Sequence, residues 1–135
     1  MTKQQDFSMW SMNFILFCLA NFLYYGAFYL YIPVLPQYVE MLGGTPADIG
    51  LVGGAFGLSS FIIRPYLGKL ANEWGRKRMM LLGTISFALL FLLFGRVTGV
   101  VPLVVLRLAH GVCLAMYLAA SAAYIADYAP VDRRG

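Results

Sequence analysis

The chain has 135 residues, of which 61% are hydrophobic and only 12% charged. Soluble domains run about 45–50% apolar and about 25% charged, and a soluble fold this small could not hide the surplus, so lipid is the expected solvent. The net charge of +4 accompanies basic residues set beside apolar runs, which marks them as topology signals and lipid-headgroup contacts rather than a nucleic-acid surface.

Four apolar segments of near-spanning length follow in order, approximately 11–35, 49–70, 79–95 and 100–126, against the roughly 20 residues that a spanning helix needs. Residues 7–39 carry no charge, too long a run for the core of a cleavable signal peptide, so the first segment reads as an uncleaved membrane helix. It ends in YIPVLPQY, where Pro33 and Pro36 predict either a bent helix beside a cavity or a helix end at the interface with Tyr29, Tyr31 and Tyr38 as an aromatic belt. Asn13, Asn21, Tyr24 and Tyr25 give this helix a polar side, suited to cavity lining or to hydrogen bonding between helices. No Asp or Glu lies within the first three segments, which counts against a carboxylate as sole proton carrier.

The first connection, GGTPAD, has helix-start chemistry, with Thr45 as N-cap, Pro46 at the first helical position and Asp48 in the first turn. In the second segment Gly50 and Gly54, and Gly53 and Gly57, are spaced by four, and in the fourth Gly111, Ala115, Ala119 and Ala123 form a similar stripe. Both stripes predict close helix packing, with smooth contacts suited to helices that slide or rock. Arg64 precedes Pro65 and is expected to snorkel to the interface. Seven of the ten basic residues (Lys3, Lys69, Arg76, Lys77, Arg78, Arg133 and Arg134) fall on one side of the hairpins and Arg96 on the other. The positive-inside rule then puts both termini and the second connection in the cytoplasm of a cell (inner or plasma) membrane protein.

Arg107 is the most informative residue. A charge inside a spanning helix costs about 2.5–3.5 kcal/mol or more and faces a bundle interior or a wet cavity. His110 is three residues on and shares its face. The pair reads as a cation site for anionic or polar solute groups or part of a proton relay; the competing reading is an arginine that snorkels to the outer interface, five residues after Pro102. Asn21 and Tyr25 join Arg107 and His110 as pathway candidates. Cys18 and Cys113 sit in apolar runs and are expected to be free, buried thiols. There is no phosphate loop, metal cluster or nucleophile–base pair, so no enzyme, cofactor or metal is assigned.

The stretch from Gly68 to Lys77, GKLANEWGRK, resembles the G-x-L-A-D-R-x-G-R-K loop of the Major Facilitator Superfamily. Arg107 to Gly111 resembles that family's R-x-x-Q-G, with His110 at the glutamine position, and Asp127, Pro130, Arg134 and Gly135 resemble its D-x-x-P-x-x-x-R-G. The resemblance covers essentially the whole chain. It implies an all-α membrane protein whose four transmembrane helices form antiparallel hairpins, the front part of a twelve-helix facilitator fold. It also implies transport of a small solute by alternating access, and the wording is closest to proton-driven drug or metabolite exporters.

By the same resemblance Gly68, Asn72, Gly75, Arg76, Lys77, Asp127 and Arg134 form a conformational latch, with Asp127 holding Arg76. Asn72 stands where the family has an acid and Glu73 where it has an arginine, which implies a weaker outward-facing latch. The implied partners are the bilayer, a small-molecule solute, protons, and the further helices of the same transporter or a partner chain. A self-assembling four-helix transporter and a non-transporting membrane subunit are the alternatives.

Overall fold

The computed structural model describes residues 12–128, with side chains through Ala126. It contains five helices: α1 (Met12–Tyr31), α2 (Val34–Met41), α3 (Pro46–Trp74), α4 (Arg76–Phe94) and α5 (Val100–Tyr128). Among the described residues four helices, all but α2, are long and apolar enough to cross a membrane. The chain divides into two units between Val34 and Leu35.

The first unit is α1. Its Leu16, Leu19, Phe22, Leu23 and Leu30 are exposed. It ends sooner than the sequence pattern predicts. Pro33 has no N–H to donate, its ring collides with the carbonyl four residues back, and it drives Ile32 out of the helical region. The backbone therefore turns at residues 32–33 and restarts as α2. Pro36 does no further harm, since it falls in the first turn of α2, where N–H groups have no intrahelical partner anyway.

In the second unit α2 presents Leu35 and Val39 to the interior. The Tyr38 hydroxyl donates to the carbonyl oxygen of Phe94, the last residue of α4, a group left over where a helix stops, and the Val97 carbonyl oxygen lies 3.5 Å from the same hydroxyl. Gly43, at φ 79°, ends α2. Thr45 then begins α3 with a full capping box: its hydroxyl accepts from the Asp48 N–H, and the Asp48 carboxylate accepts from the Thr45 N–H at 2.7 Å.

α3 runs 29 residues, through Pro65 and through Lys69, Asn72 and Glu73, which the sequence reading assigned to a connection. Charge removes these residues from the hydrocarbon but not from the helix: at 1.5 Å per residue α3 is about 43 Å long, beyond the roughly 30 Å apolar core. What stops it is Gly75, at φ 89° and ψ 131°, a conformation open mainly to glycine. The second connection is thus this one residue, and Arg76, Lys77 and Arg78 already belong to α4.

α5 is the centre of the second unit; 56% of its apolar stretch is buried, against 17% for α3 and 22% for α4. α3 and α5 run parallel. Val52 meets Arg107, Phe56 and Ser59 meet Gly111, and further along Leu67 and Ala71 join Ala115 and Ala120 in one cluster. α4 runs antiparallel to α5: Phe87 lies on His110, Gly83 on Cys113 and Tyr117, and Arg76 on Ala123.

The two small-residue stripes behave differently. A Cβ added at Gly111 would overlap Ser59 Oγ and the Phe56 carbonyl oxygen, so α3 and α5 touch there backbone to backbone. At Gly50, Gly53, Gly54 and Gly57 it would meet nothing within 4 Å. The expectation of close packing thus holds for α5 and is corrected for α3 among the described residues, because α3 turns its Val52, Ala55 and Ser60 side to the interior instead. Cys113 is buried as expected, whereas Cys18 is exposed.

Candidate functional site

The site is built around one turn of α5. Gly111 draws α3 close, and this brings Val52 and Phe56, themselves one turn apart, against Arg107. The Arg107 guanidinium carbon stands 4.2 Å from the centroid of the Phe56 ring, well inside the range of cation–π attraction. Its Nε donates to the Val52 carbonyl oxygen at 3.4 Å. Arg107 is only 3% exposed, so the guanidinium turns inward onto α3 and does not reach for the outer interface.

His110 is fully buried, at 0% exposure, among four phenylalanine rings. It stacks on Phe87 with centroids 3.9 Å apart and planes 30° apart. Phe94 lies at 5.4 Å, Phe56 edge-on at 6.1 Å and Phe91 at 6.2 Å. Phe56 therefore touches both polar residues, Arg107 through its face and His110 in a T-shaped contact. The spacing of Phe87, Phe91 and Phe94 puts them on one face of α4.

The structure brings Arg107 and His110 together as the sequence spacing predicts. It adds Phe56, Phe87, Phe91 and Phe94, which pattern reading passed over as generic apolar residues; the recurrence at 87, 91 and 94 was the available signal. Asn21 and Tyr25 lie in the other unit. The Asn21 side-chain amide donates to the Phe17 carbonyl oxygen at 2.9 Å, a bond within α1 rather than between helices. Tyr25 is half-buried, edge-on to Tyr24 at 5.8 Å and stacked with Tyr29 at 6.5 Å.

At the other end of α4 lies the basic junction. Gly75 supplies the turn, but Gly68 is not a tight contact, since an added Cβ there would meet nothing within 4 Å. Arg76 is half-buried and its Nη1 donates to the Ala123 carbonyl oxygen of α5 at 2.7 Å, a favourable place for a cation near a helix C-terminus. Asn72, Glu73 and Lys77 are exposed. The Asp127 side chain and the whole of Pro130, Arg133, Arg134 and Gly135 lie outside the described residues, as does Lys3.

The family model of the Major Facilitator Superfamily matches residues 17–135. Multidrug resistance protein 2 of Bacillus subtilis (strain 168) is 33% identical over 105 residues, which is 78% of this chain and 26% of that protein. Quinolone resistance protein NorA of Staphylococcus aureus (strain Mu50) is 36% identical over 105 residues, 78% of this chain and 27% of the relative. The chain thus spans about a quarter of the length of the curated relatives it matches.

Proposed function

This chain belongs to the Major Facilitator Superfamily and is a multi-pass membrane protein, and from that premise we propose that it is the N-terminal, four-span portion of a transporter. In this reading the complete transporter extrudes a drug-like solute across the cell membrane by alternating access, driven by protons. The observation that carries the proposal is Arg107, a charged side chain 3% exposed between helices long enough to span the bilayer. An intramembrane cation is costly to keep and marks a solute or ion path. The names of the relatives support the drug-like class. His110 is the second polar group of the path; Asn21 and Tyr25 of α1 are candidates on the ground of the sequence alone.

The excess of basic residues supports a cytoplasmic side for the termini and the Gly75 junction. That junction, comprising Gly68, Asn72, Gly75, Arg76, Lys77, Asp127 and Arg134, works as the latch of alternating access, with the Arg76–Ala123 contact as its fixed end. Because Asn72 is uncharged, the latch holds the outward-facing closure less firmly than an aspartate would. Asn72→Asp should shift the conformational balance and the transport rate, and a variant indistinguishable from the parent would remove this part of the proposal.

The main test is accumulation of a fluorescent quinolone, whose carboxylate can meet Arg107, by everted vesicles from cells that express the complete reading frame containing this sequence. Accumulation should need an imposed proton gradient, collapse with a protonophore, and disappear in Arg107→Ala. Accumulation equal to that of vesicles without the protein would overturn the reading.

A further inference from the structure

We infer that Phe56 is a positioning residue for Arg107: its ring face holds the guanidinium on the α3 side and so fixes where the intramembrane cation stands. The inference rests on the proposal that Arg107 is the cation of the transport path. A guanidinium is planar, delocalised and weakly hydrated, and it stacks on aromatic faces in a way an ammonium does not. The 4.2 Å separation between the Arg107 guanidinium carbon and the Phe56 centroid is a stacking distance, and such contacts strengthen when water is excluded. Water is largely excluded here, since Arg107 is 3% exposed.

The arrangement is specified by backbone geometry. Gly111, one turn beyond Arg107, has no Cβ and lets the Phe56 carbonyl come into contact with α5. That approach carries the Phe56 ring under the guanidinium and the Val52 carbonyl to within 3.4 Å of Arg107 Nε. α3 has no acidic residue between Asp48 and Glu73. A ring face differs from a carboxylate in one functional respect: it holds a cation without cancelling its charge. The Phe56 contact by itself therefore leaves the guanidinium charge in place. Phe56 also touches His110 edge-on at 6.1 Å, so one side chain meets both polar residues. Without the ring, the long arginine stem is free to swing its head toward an interface.

The test uses the protein of the complete reading frame containing this sequence, in lipid nanodiscs with 15N-labelled arginine. The Arg107 Nε–Hε signal is assigned by its loss in Arg107→Lys. In the parent chain this proton should be shifted upfield by the ring current, relative to the signals of the exposed Arg64 and Arg96. In Phe56→Leu the upfield shift should vanish, and modification of Arg107 by phenylglyoxal, read by peptide mass, should speed up about tenfold, the scale of a desolvated cation–π contact. Phe56→Tyr should preserve both readings.

Alkylation of the buried Cys113 monitors the helix interface throughout and should stay slow in all three proteins. If Phe56→Leu loosens the interface, the parent spectrum decides by itself: an upfield Arg107 signal supports the inference and an unshifted one overturns it. Unchanged shift and reactivity in Phe56→Leu also overturn it. The transport reading fails separately, through solute accumulation that persists in Arg107→Ala, whatever the ring current shows.

Discussion

The small-residue stripe of α5 and the glycine stripe of α3 have the same spacing but opposite surroundings. Gly111 and Ala115 are buried, and at Gly111 no side-chain atom fits. Gly50, Gly53, Gly54 and Gly57 are exposed, with open space where a Cβ would go. Spacing by four creates a face along which another backbone can approach, but it does not say whether a backbone arrives. In α5 the approach has a consequence beyond packing, because it carries Phe56 to Arg107 and His110.

Substitutions at the two stripes should separate them, and equilibrium unfolding in mixed micelles measures each. The largest effect is expected at Gly111→Ala, where the methyl group meets the Phe56 carbonyl, backbone that cannot rotate away; overpacking of this kind costs about 1–3 kcal/mol. A loss under that range would mean that α3 and α5 are less tightly joined than the structure shows. Combining Gly111→Ala with Ser59→Ala comes next. It removes the Ser59 hydroxyl but leaves the Phe56 carbonyl, so stability should recover only in part, and full recovery would locate the whole clash in one side chain.

Gly83→Ala should do less. Its Cβ would lie 3.1 Å from the Cys113 carbonyl oxygen and from the Tyr117 nitrogen, a crowding that α4 can relieve by a small shift. The gain in helix preference of about 0.5–1 kcal/mol for Ala over Gly offsets much of the strain, which leaves a net change below about 1 kcal/mol. The smallest effect, and the one of opposite sign, belongs to Gly57→Ala. With open space around it, only helix preference acts, and the protein should gain up to about 1 kcal/mol. A clear loss at Gly57 would erase the contrast between the stripes.

The polar residues teach a similar lesson. The cost of a charge in a spanning helix made Arg107 visible in the sequence, and helical spacing joined His110 to it. Neither could say which way the guanidinium points, since an arginine stem is long enough to reach either an interface or a neighbouring helix. That direction was set by α3, through the Val52 carbonyl and the Phe56 ring. The phenylalanines around His110 were hidden for a different reason: in a chain this apolar, the recurrence at Phe87, Phe91 and Phe94 is a weak signal, and Phe56 has none until the fold gathers them. Asn21 shows the reverse case. Its amide suited either a cavity lining or a contact between helices, and it donates to its own helix, at Phe17.

The sequence by itself determined the solvent, the number of spans and the family. These depend on composition, on the length of apolar runs and on short motifs, all of which are local along the chain. It determined the helix start at Thr45 for the same reason, as one residue and its neighbours suffice, whereas the reduction of the second connection to Gly75 came from the structure. Tertiary structure decided which glycine stripe packs, which ring meets Arg107, and that Arg76 reaches the Ala123 carbonyl across 47 residues. Those outcomes depend on which faces of α3, α4 and α5 turn toward one another, and a helix with apolar residues on every side does not encode that choice alone.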